Sequence, residues 1–490
     1  LNKEFQREDD TTRIVRIWDQ TIQGNKEIYS LKYGTEYTED QINQAIRLQA
    51  SGGDPYSIVP SKDDIGHGTR MAGIIGGRGI NPDLKGAASD CQFIIVKLSR
   101  ATKVELDVAV IDKTDVPSYS PWSALLALRY IIAVARELKR PVVVFEPLGS
   151  NMGSHTGNGI VEQSINNYST QSGTVVVVPT GNQGNTDTHT EGIIENVGDV
   201  KDIEIRIGEK QRNLPIEIWI NKPNRIKLSI ISPSGEMIDN LDSKNANNER
   251  IKFLYEGTEM IVNFTSPELS TGDSHIFIRA YNLKAGIWKF RLTGQYIVEG
   301  KYYAWIPQRE LLDSETKFLN SVGYTTLTLS STSNRAISVA YYNQEDNSVV
   351  TESGRGYTRD KMIKPDIAAG GFNAIVTNPG GGTAVISGAS VAGAVVAGCC
   401  VLILQWAVTD KNYPDIYAEQ IKAYIISGAK GRPGDVYPNK EWGYGMLDMN
   451  GIFDRIKDTY NPRKSEDYEE YRVNNLFIRI PKSRYNRTIN

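Results

Sequence analysis

The hydrophobic residues of this chain change their period twice, and that change limits the fold more than any other feature. Up to Val178, short β-branched runs at 13–18, 92–98, 141–145 and 174–178 are separated by stretches patterned for helix. The clearest of these is 122–138, where apolar residues recur at spacings of three and four. Short apolar strands alternating with amphipathic helices are the pattern of a parallel sheet with crossover helices. From about residue 198 to 305 the period falls to two. Ile203, Ile205 and Ile207, then Ile216, Ile218 and Ile220, then Ile226, Leu228 and Ile230 alternate with other residues, and Lys222-Pro223-Asn224 and Ser232-Pro233-Ser234-Gly235 supply turns. Further strands fit 275–281 and 287–292, so this stretch predicts an antiparallel β unit with one solvated face. Beyond Lys317 the first pattern returns, with a strand at 336–342. The expected architecture is therefore α/β: a parallel sheet flanked by helices, built from 1–197 and 317–490, with an antiparallel jelly roll or sandwich inserted at 198–316.

Charge and cysteine content narrow the function. The 55 Lys and Arg nearly balance the 58 Asp and Glu, leaving a formal net charge of -3. No basic footprint for nucleic acid or an anionic membrane surface is present, and the expected partners are proteins or peptides. Cys91 stands apart and Cys399-Cys400 sit in an apolar run, so no disulfide framework is expected. The run 391–408 approaches membrane-spanning length, but small residues and Gln405 interrupt it, and it reads as a buried core helix. The start, Leu1-Asn2-Lys3-Glu4-Phe5, has neither Met nor a signal pattern and looks trimmed or processed. The tail from 464 to 490 is charged and Tyr-rich, with strand character at 474–481. No Asp-rich loop has calcium spacing, and no metal or cofactor is expected.

Three separated segments carry chemistry. Asp64-Ile65-Gly66-His67-Gly68-Thr69 sets a histidine between glycines at the head of a small-residue helix, where it is accessible as a general base or serves only as a polar loop residue. The valine run 175–178 ends in Pro179-Thr180-Gly181-Asn182; a carboxamide at the end of a strand can donate to a developing oxyanion, although Gly-Asn is also ordinary turn punctuation. The Gly-rich stretch 380–382 leads to Ser387-Gly388-Ala389-Ser390-Val391-Ala392, which puts Ser390 at the start of the long apolar helix. There it is a nucleophile in the positive end of the dipole or simply a capping serine.

Taken together and in this order, the segments resemble the subtilisin-like serine proteases, the subtilases: His-Gly-Thr for the base, Gly-Asn for the oxyanion side chain and Gly-Thr-Ser-x-Ala for the nucleophile, here Gly388-Ala389-Ser390-Val391-Ala392. Ser353-Gly354-Arg355-Gly356 and Lys364-Pro365-Asp366 resemble further family stretches, and Leu148-Gly149-Ser150 looks like the family's substrate-binding strand. Within the family the chain is most similar to the clostridial spore-germination proteases, the Csp group, through Ile17-Trp18-Asp19-Gln20-Thr21, Tyr33-Gly34-Thr35-Glu36-Tyr37, Ser57-Ile58-Val59-Pro60-Ser61 and 474–481. The resemblance implies a serine endopeptidase with His67, Ser390 and Asn182 as its catalytic set. It also implies a protein or peptide substrate, the protease's own pro-segment and a related Csp-type protein as partners, and a spore-associated role in activating a cortex hydrolase.

The resemblance also implies a triad Asp on an Asp-Ser/Thr-Gly segment ahead of Leu1; within the chain, Asp19 is the alternative, though Asp19-Gln20-Thr21 lacks the Gly. Ala389 stands where the family has Thr, and Pro147, which has no N–H to offer a substrate strand, precedes Leu148. These departures set a second expectation beside the protease: a catalytically impaired relative that serves as a regulatory or binding scaffold.

Overall fold

The computed structural model describes residues 2–24, 27–241 and 248–460, and the backbone of 468–473 and 476–481. The first part of the chain forms β1 (Ile14–Asp19), β2 (Thr35–Thr38), α1 (Glu39–Ala50), α2 (His67–Gly76), β3 (Phe93–Lys97), α3 (Lys103–Val108), α4 (Pro121–Leu138), β4 (Val142–Phe145), α5 (Ile160–Tyr168) and β5 (Thr174–Pro179). Every predicted strand of this part forms within a residue or so of its apolar run. Local chemistry sets the boundaries. Thr38 and Gln41 close a reciprocal capping box on α1. Pro121 opens α4, and Lys139, at φ 52, ends it in the left-handed conformation.

The middle of the chain is all strand: β6 (His189–Ile193), β7 (Val200–Ile207), β8 (Leu214–Ile220), β9 (Arg225–Ile231), β10 (Met237–Leu241), β11 (Glu249–Phe253), β12 (Thr258–Thr265), β13 (Ser274–Tyr281), β14 (Gly286–Tyr296), β15 (Lys301–Trp305) and β16 (Lys317–Phe318). They pair into two antiparallel sheets, ordered β10-β9-β14-β7-β16 and β11-β12-β13-β8-β15-β6. The alternate Ile, Leu, Phe and Trp side chains of both sheets fill one shared core that includes Ile205, Ile218, Leu228, Ile278, Trp288 and Phe290. One expectation is corrected here. β8 does not present a solvated face: all seven of its residues are buried. Its isoleucines face the shared core. Glu217 and Trp219 face the other way, against Tyr303, Trp305 and the α/β body.

The last part restores the α/β pattern with β17 (Ile337–Asn343), β18 (Ser348–Val349), β19 (Ile367–Gly370), the hairpin β20 (Ala374–Thr377) and β21 (Thr383–Ile386), α6 (Ala389–Leu404), α7 (Ala418–Ser427) and α8 (Met449–Tyr460). The predicted 474–481 strand is seen as β23 (Leu476–Pro481), paired antiparallel with β22 (Tyr468–Val473); residues 474 and 475 lie outside the described residues. The apolar 391–408 run is a core helix. Val391, Val396, Ile403 and Leu404 are buried, and α6 packs on β4, β5, β17, β19 and α2. It is apolar on every side because strands and α2 cover most of it and the rest, Val401 and Leu402 included, faces a cavity. Its glycines allow the close approach: a Cβ on Gly398 would sit 2.6 Å from Ala87 and one on Gly393 2.9 Å from the Phe145 ring. Burying each large side chain of α6 contributes on the order of 1.5–3 kcal/mol.

The parallel strands form two sheets rather than one. β1 runs parallel to β3 and antiparallel to β2, while β4, β5, β17 and β19 run parallel in a second sheet. β3 and β4 are joined through α3 and α4 but share no hydrogen bonds, and among the described residues each leaves one edge without a strand partner. A cavity of about 1780 Å³ separates them, lined by Ile95, Val96, Val143, Val144 and apolar residues of α2, α4 and α6.

Candidate active site

The cavity opens at the carboxyl ends of β3, β4 and β5, and this mouth brings together side chains far apart in sequence. His67, Leu148, Asn182 and Ser390 all line it. Gly149 and Ser150 do not: Gly149 is exposed beside the mouth, and its carbonyl accepts a 2.5 Å hydrogen bond from Gln308 Nε2. The Ser150 carbonyl accepts from Leu329 N at 3.0 Å. Two carbonyls of the stretch predicted to pair with a substrate strand are thus already engaged.

His67 is the first residue of α2. Gly66, at φ 84, makes the turn into the helix, a conformation that disfavours a side chain, and a Cβ there would lie 3.1 Å from Pro379. Asp63 satisfies the helix start: its Oδ1 accepts from Gly66 N at 2.7 Å and its Oδ2 from Thr69 N at 2.9 Å and Thr69 Oγ1 at 2.7 Å. Burial works to raise the Asp63 pKa, but the bonds from Thr69 and Gly66 prevail and hold it below the usual carboxylate range. Burial pushes the His67 pKa down, opposed by Asp63 and reinforced by Arg70. The imidazole is therefore biased toward its neutral form, the form that accepts a proton.

Ser390 is the second residue of α6, and Gly388, at φ 148, precedes the helix. Asn182 reaches this turn from the end of β5. Its Oδ1 accepts from Ala389 N at 3.0 Å, and a Cβ on Gly388 would stand 3.4 Å from that oxygen. Fixing Oδ1 in this way turns Nδ2 into the amide's free donor. Among the described residues neither Asn182 Nδ2 nor Ser390 N has a hydrogen-bond partner, so two donors are left free at the start of α6. This is the composition of an oxyanion site at a helix N-terminus.

Asp19 is placed differently. It is fully buried at the end of β1, its Oδ1 accepts from Thr21 N at 2.8 Å and Thr21 Oγ1 at 2.5 Å, and its Oδ2 accepts from Ser61 Oγ at 2.6 Å. Its carboxylate shapes the loop that leads to α2 and does not line the cavity. One further residue lining the cavity, Glu310, went unnoticed in the sequence because it lies in no motif; Gln183, which follows Asn182 in the Gly-Asn segment, donates to its carboxylate. Among the described residues no group of three or more His, Cys, Asp or Glu side chains is arranged to hold a metal ion.

The model of the subtilase family matches the chain in two blocks, residues 11–204 and 318–445. Among solved structures, that of the Clostridium perfringens CspB protease is similar with a TM-score of 0.82 at 27% identity, covering 94% of this chain and 91% of that one. The prenylagaramide maturation protease PagA lies further off, with a TM-score of 0.39 at 13% identity over 80% of this chain and 82% of that one. No curated protein matches the chain in sequence. With the family model spanning both α/β blocks and skipping most of the two-sheet region between them, this chain belongs to the subtilase family.

Proposed function

We propose that the chain works as a serine endopeptidase through an acyl-enzyme, with His67 as general base, Ser390 as nucleophile and Asn182 as the oxyanion side chain. His67 takes the proton from Ser390 Oγ as that oxygen attacks the scissile carbonyl. Asn182 Nδ2 and Ser390 N hold the oxygen as it becomes negative, and His67 returns the proton to the leaving amine. The observation that carries this reading is the bond from Ala389 N to Asn182 Oδ1, which ties the end of β5 to the first turn of α6 and leaves the amide's Nδ2 to donate.

The carboxylate that orients the base is neither Asp19 nor Asp63, both of which are committed to local hydrogen bonds. The cleft between the β3 and β4 edges has the form of a seat for one more parallel strand, apolar on both faces. A strand there would be about 5 residues and 17 Å long, and a carboxylate at its carboxyl end would come out at the mouth beside His67.

The division into 1–197, 198–316 and 317–490, with the middle unit a jelly-roll insertion, is supported by the shared core of the two antiparallel sheets and by the gap in the family match. The likeness to the Clostridium perfringens CspB protease supports a protein substrate; a place in spore germination, with the protease's own pro-segment as a partner, follows from the resemblance of the sequence to the Csp group.

A second reading, an impaired relative acting as a scaffold, is favoured by the engaged carbonyls of Gly149 and Ser150 and by Pro147. A fluorophosphonate probe separates the two. Covalent labelling of the full chain that disappears in Ser390→Ala supports the protease. A chain that takes no label and cleaves no peptide is the scaffold, and label that persists in the variant rejects the assignment of the nucleophile.

A further inference from the structure

A carboxylate from the two-sheet region reaches into the cleft and, among the described residues, has no cation to meet it. Between β15 and β16 the chain makes a single helical turn, Arg309–Leu311, pinned from both sides of the mouth. Gln308 Nε2 donates to the Gly149 carbonyl at 2.5 Å on the β4 side. On the β5 side, Arg309 N donates to Gln183 Oε1 at 3.0 Å, and Gln183 Nε2 donates to the Glu310 carboxylate at 3.1 and 3.4 Å. Gln183 is 4% exposed, and its Oε1 also accepts from Thr186 Oγ1 at 3.1 Å, so the amide that holds Glu310 is itself held.

Glu310 is exposed and lines the same cavity as His67, Asn182, Leu148 and Ser390. The cations around it are occupied elsewhere. Lys113 Nζ bonds the Glu310 main-chain carbonyl at 3.1 Å, and the Arg309 guanidinium turns back to the carbonyls of Thr316 and Asp313. Among the described residues no Lys or Arg nitrogen forms an ion pair with the Glu310 carboxylate.

We propose that Glu310 is a specificity-determining residue that selects substrates carrying Lys or Arg at the residue that supplies the scissile carbonyl. The inference rests on the reading of His67, Asn182 and Ser390 as the catalytic set. Its geometry follows from adjacency. Asn182 takes the oxygen of the scissile carbonyl, and Glu310 hangs from the very next residue, Gln183, so the side chain beside that carbonyl is the first to come within reach of the carboxylate. An ammonium or guanidinium arriving there gains a charge-assisted hydrogen bond to an acceptor already fixed in place, whereas an acidic side chain meets repulsion.

The test uses the full chain and fluorogenic peptides that differ only at that residue: Arg, Lys, Gln, Leu or Glu. The Arg peptide is expected to exceed the Gln peptide in kcat/KM by about tenfold, and the margin should shrink as salt rises because the site is open to solvent. Glu310→Gln, which keeps an oxygen for Gln183, should remove that margin while leaving the Gln and Leu peptides unchanged, and Glu310→Lys should shift the preference to the Glu peptide. Equal rates for Arg and Gln peptides in the unaltered protein, or an equal loss on all peptides in Glu310→Gln, overturn the proposal. Ser390 labelling tells the two failures apart. Label without basic preference sinks only the role of Glu310, and no label at Ser390 sinks both readings.

Discussion

Arg359 bolts the two-sheet region onto the α/β body, and Arg359→Met should be among the most destabilising substitutions in the chain. Its side chain is 1% exposed. Nε donates to the Ser154 carbonyl at 2.8 Å within the α/β body. Nη1 donates to Asn221 Oδ1 at 3.0 Å, and Nη2 lies 2.9 Å from Asp273 Oδ2, both across the junction. The guanidinium also sits 4.9 Å from the Trp219 ring and 5.8 Å from that of Tyr303. Met fills most of the volume but leaves the Asp273 carboxylate, 14% exposed, without its cation, along with two unpaired acceptors. Removing one partner of a buried pair costs about 3–5 kcal/mol. The stacking and the hydrogen bonds belong to the same network and are not added on top. The assay is urea unfolding followed by tryptophan fluorescence, since Trp219 and Trp305 lie at the junction. Adding Asp273→Asn to Arg359→Met should recover about 1–2 kcal/mol, because much of the loss is the stranded charge. A loss below about 1 kcal/mol for Arg359→Met, or no recovery in the double variant, would refute the view that this ion pair is the fastening.

On the proposed mechanism Asn182→Ala removes one oxyanion donor and should lower kcat about 100- to 1000-fold with KM nearly unchanged, measured on a peptide substrate. A loss confined to KM would assign Asn182 to ground-state binding instead. His155 governs a pH dependence of stability. It is 1% exposed and stacked 4.1 Å from Trp305, and burial pushes its pKa down from 6.5 to about 4. Between those values the unfolded chain takes up a proton that the folded chain refuses, so stability falls as pH drops from 6.5 toward 4, by about 3 kcal/mol over the window. Unfolding midpoints of His155→Gln should fall less steeply over that range than those of the unaltered protein; parallel curves would show that the proton is taken up elsewhere.

What the sequence determined by itself is what depends on neighbours along the chain. Period and turn chemistry place the strands and α4, because side-chain direction repeats every two residues in a strand and every 3.6 in a helix. The same local order makes Gly66-His67, Gly181-Asn182 and Gly388-Ala389-Ser390 recognisable as strand ends and helix starts. Tertiary structure alone decided the rest. Alternation along β8 predicted a solvated face, but burial depends on what packs across the sheet, and there Trp219 meets Arg359. Asp19 looks free in sequence, and Ser61, 42 positions away, occupies its carboxylate. Glu310 belongs to no motif and enters the cleft only because Gln183 and Gly149 hold its turn in place. Local patterns are fixed by the stiffness of a few bonds. A site is fixed by contacts between segments hundreds of residues apart, and no period along the chain records them.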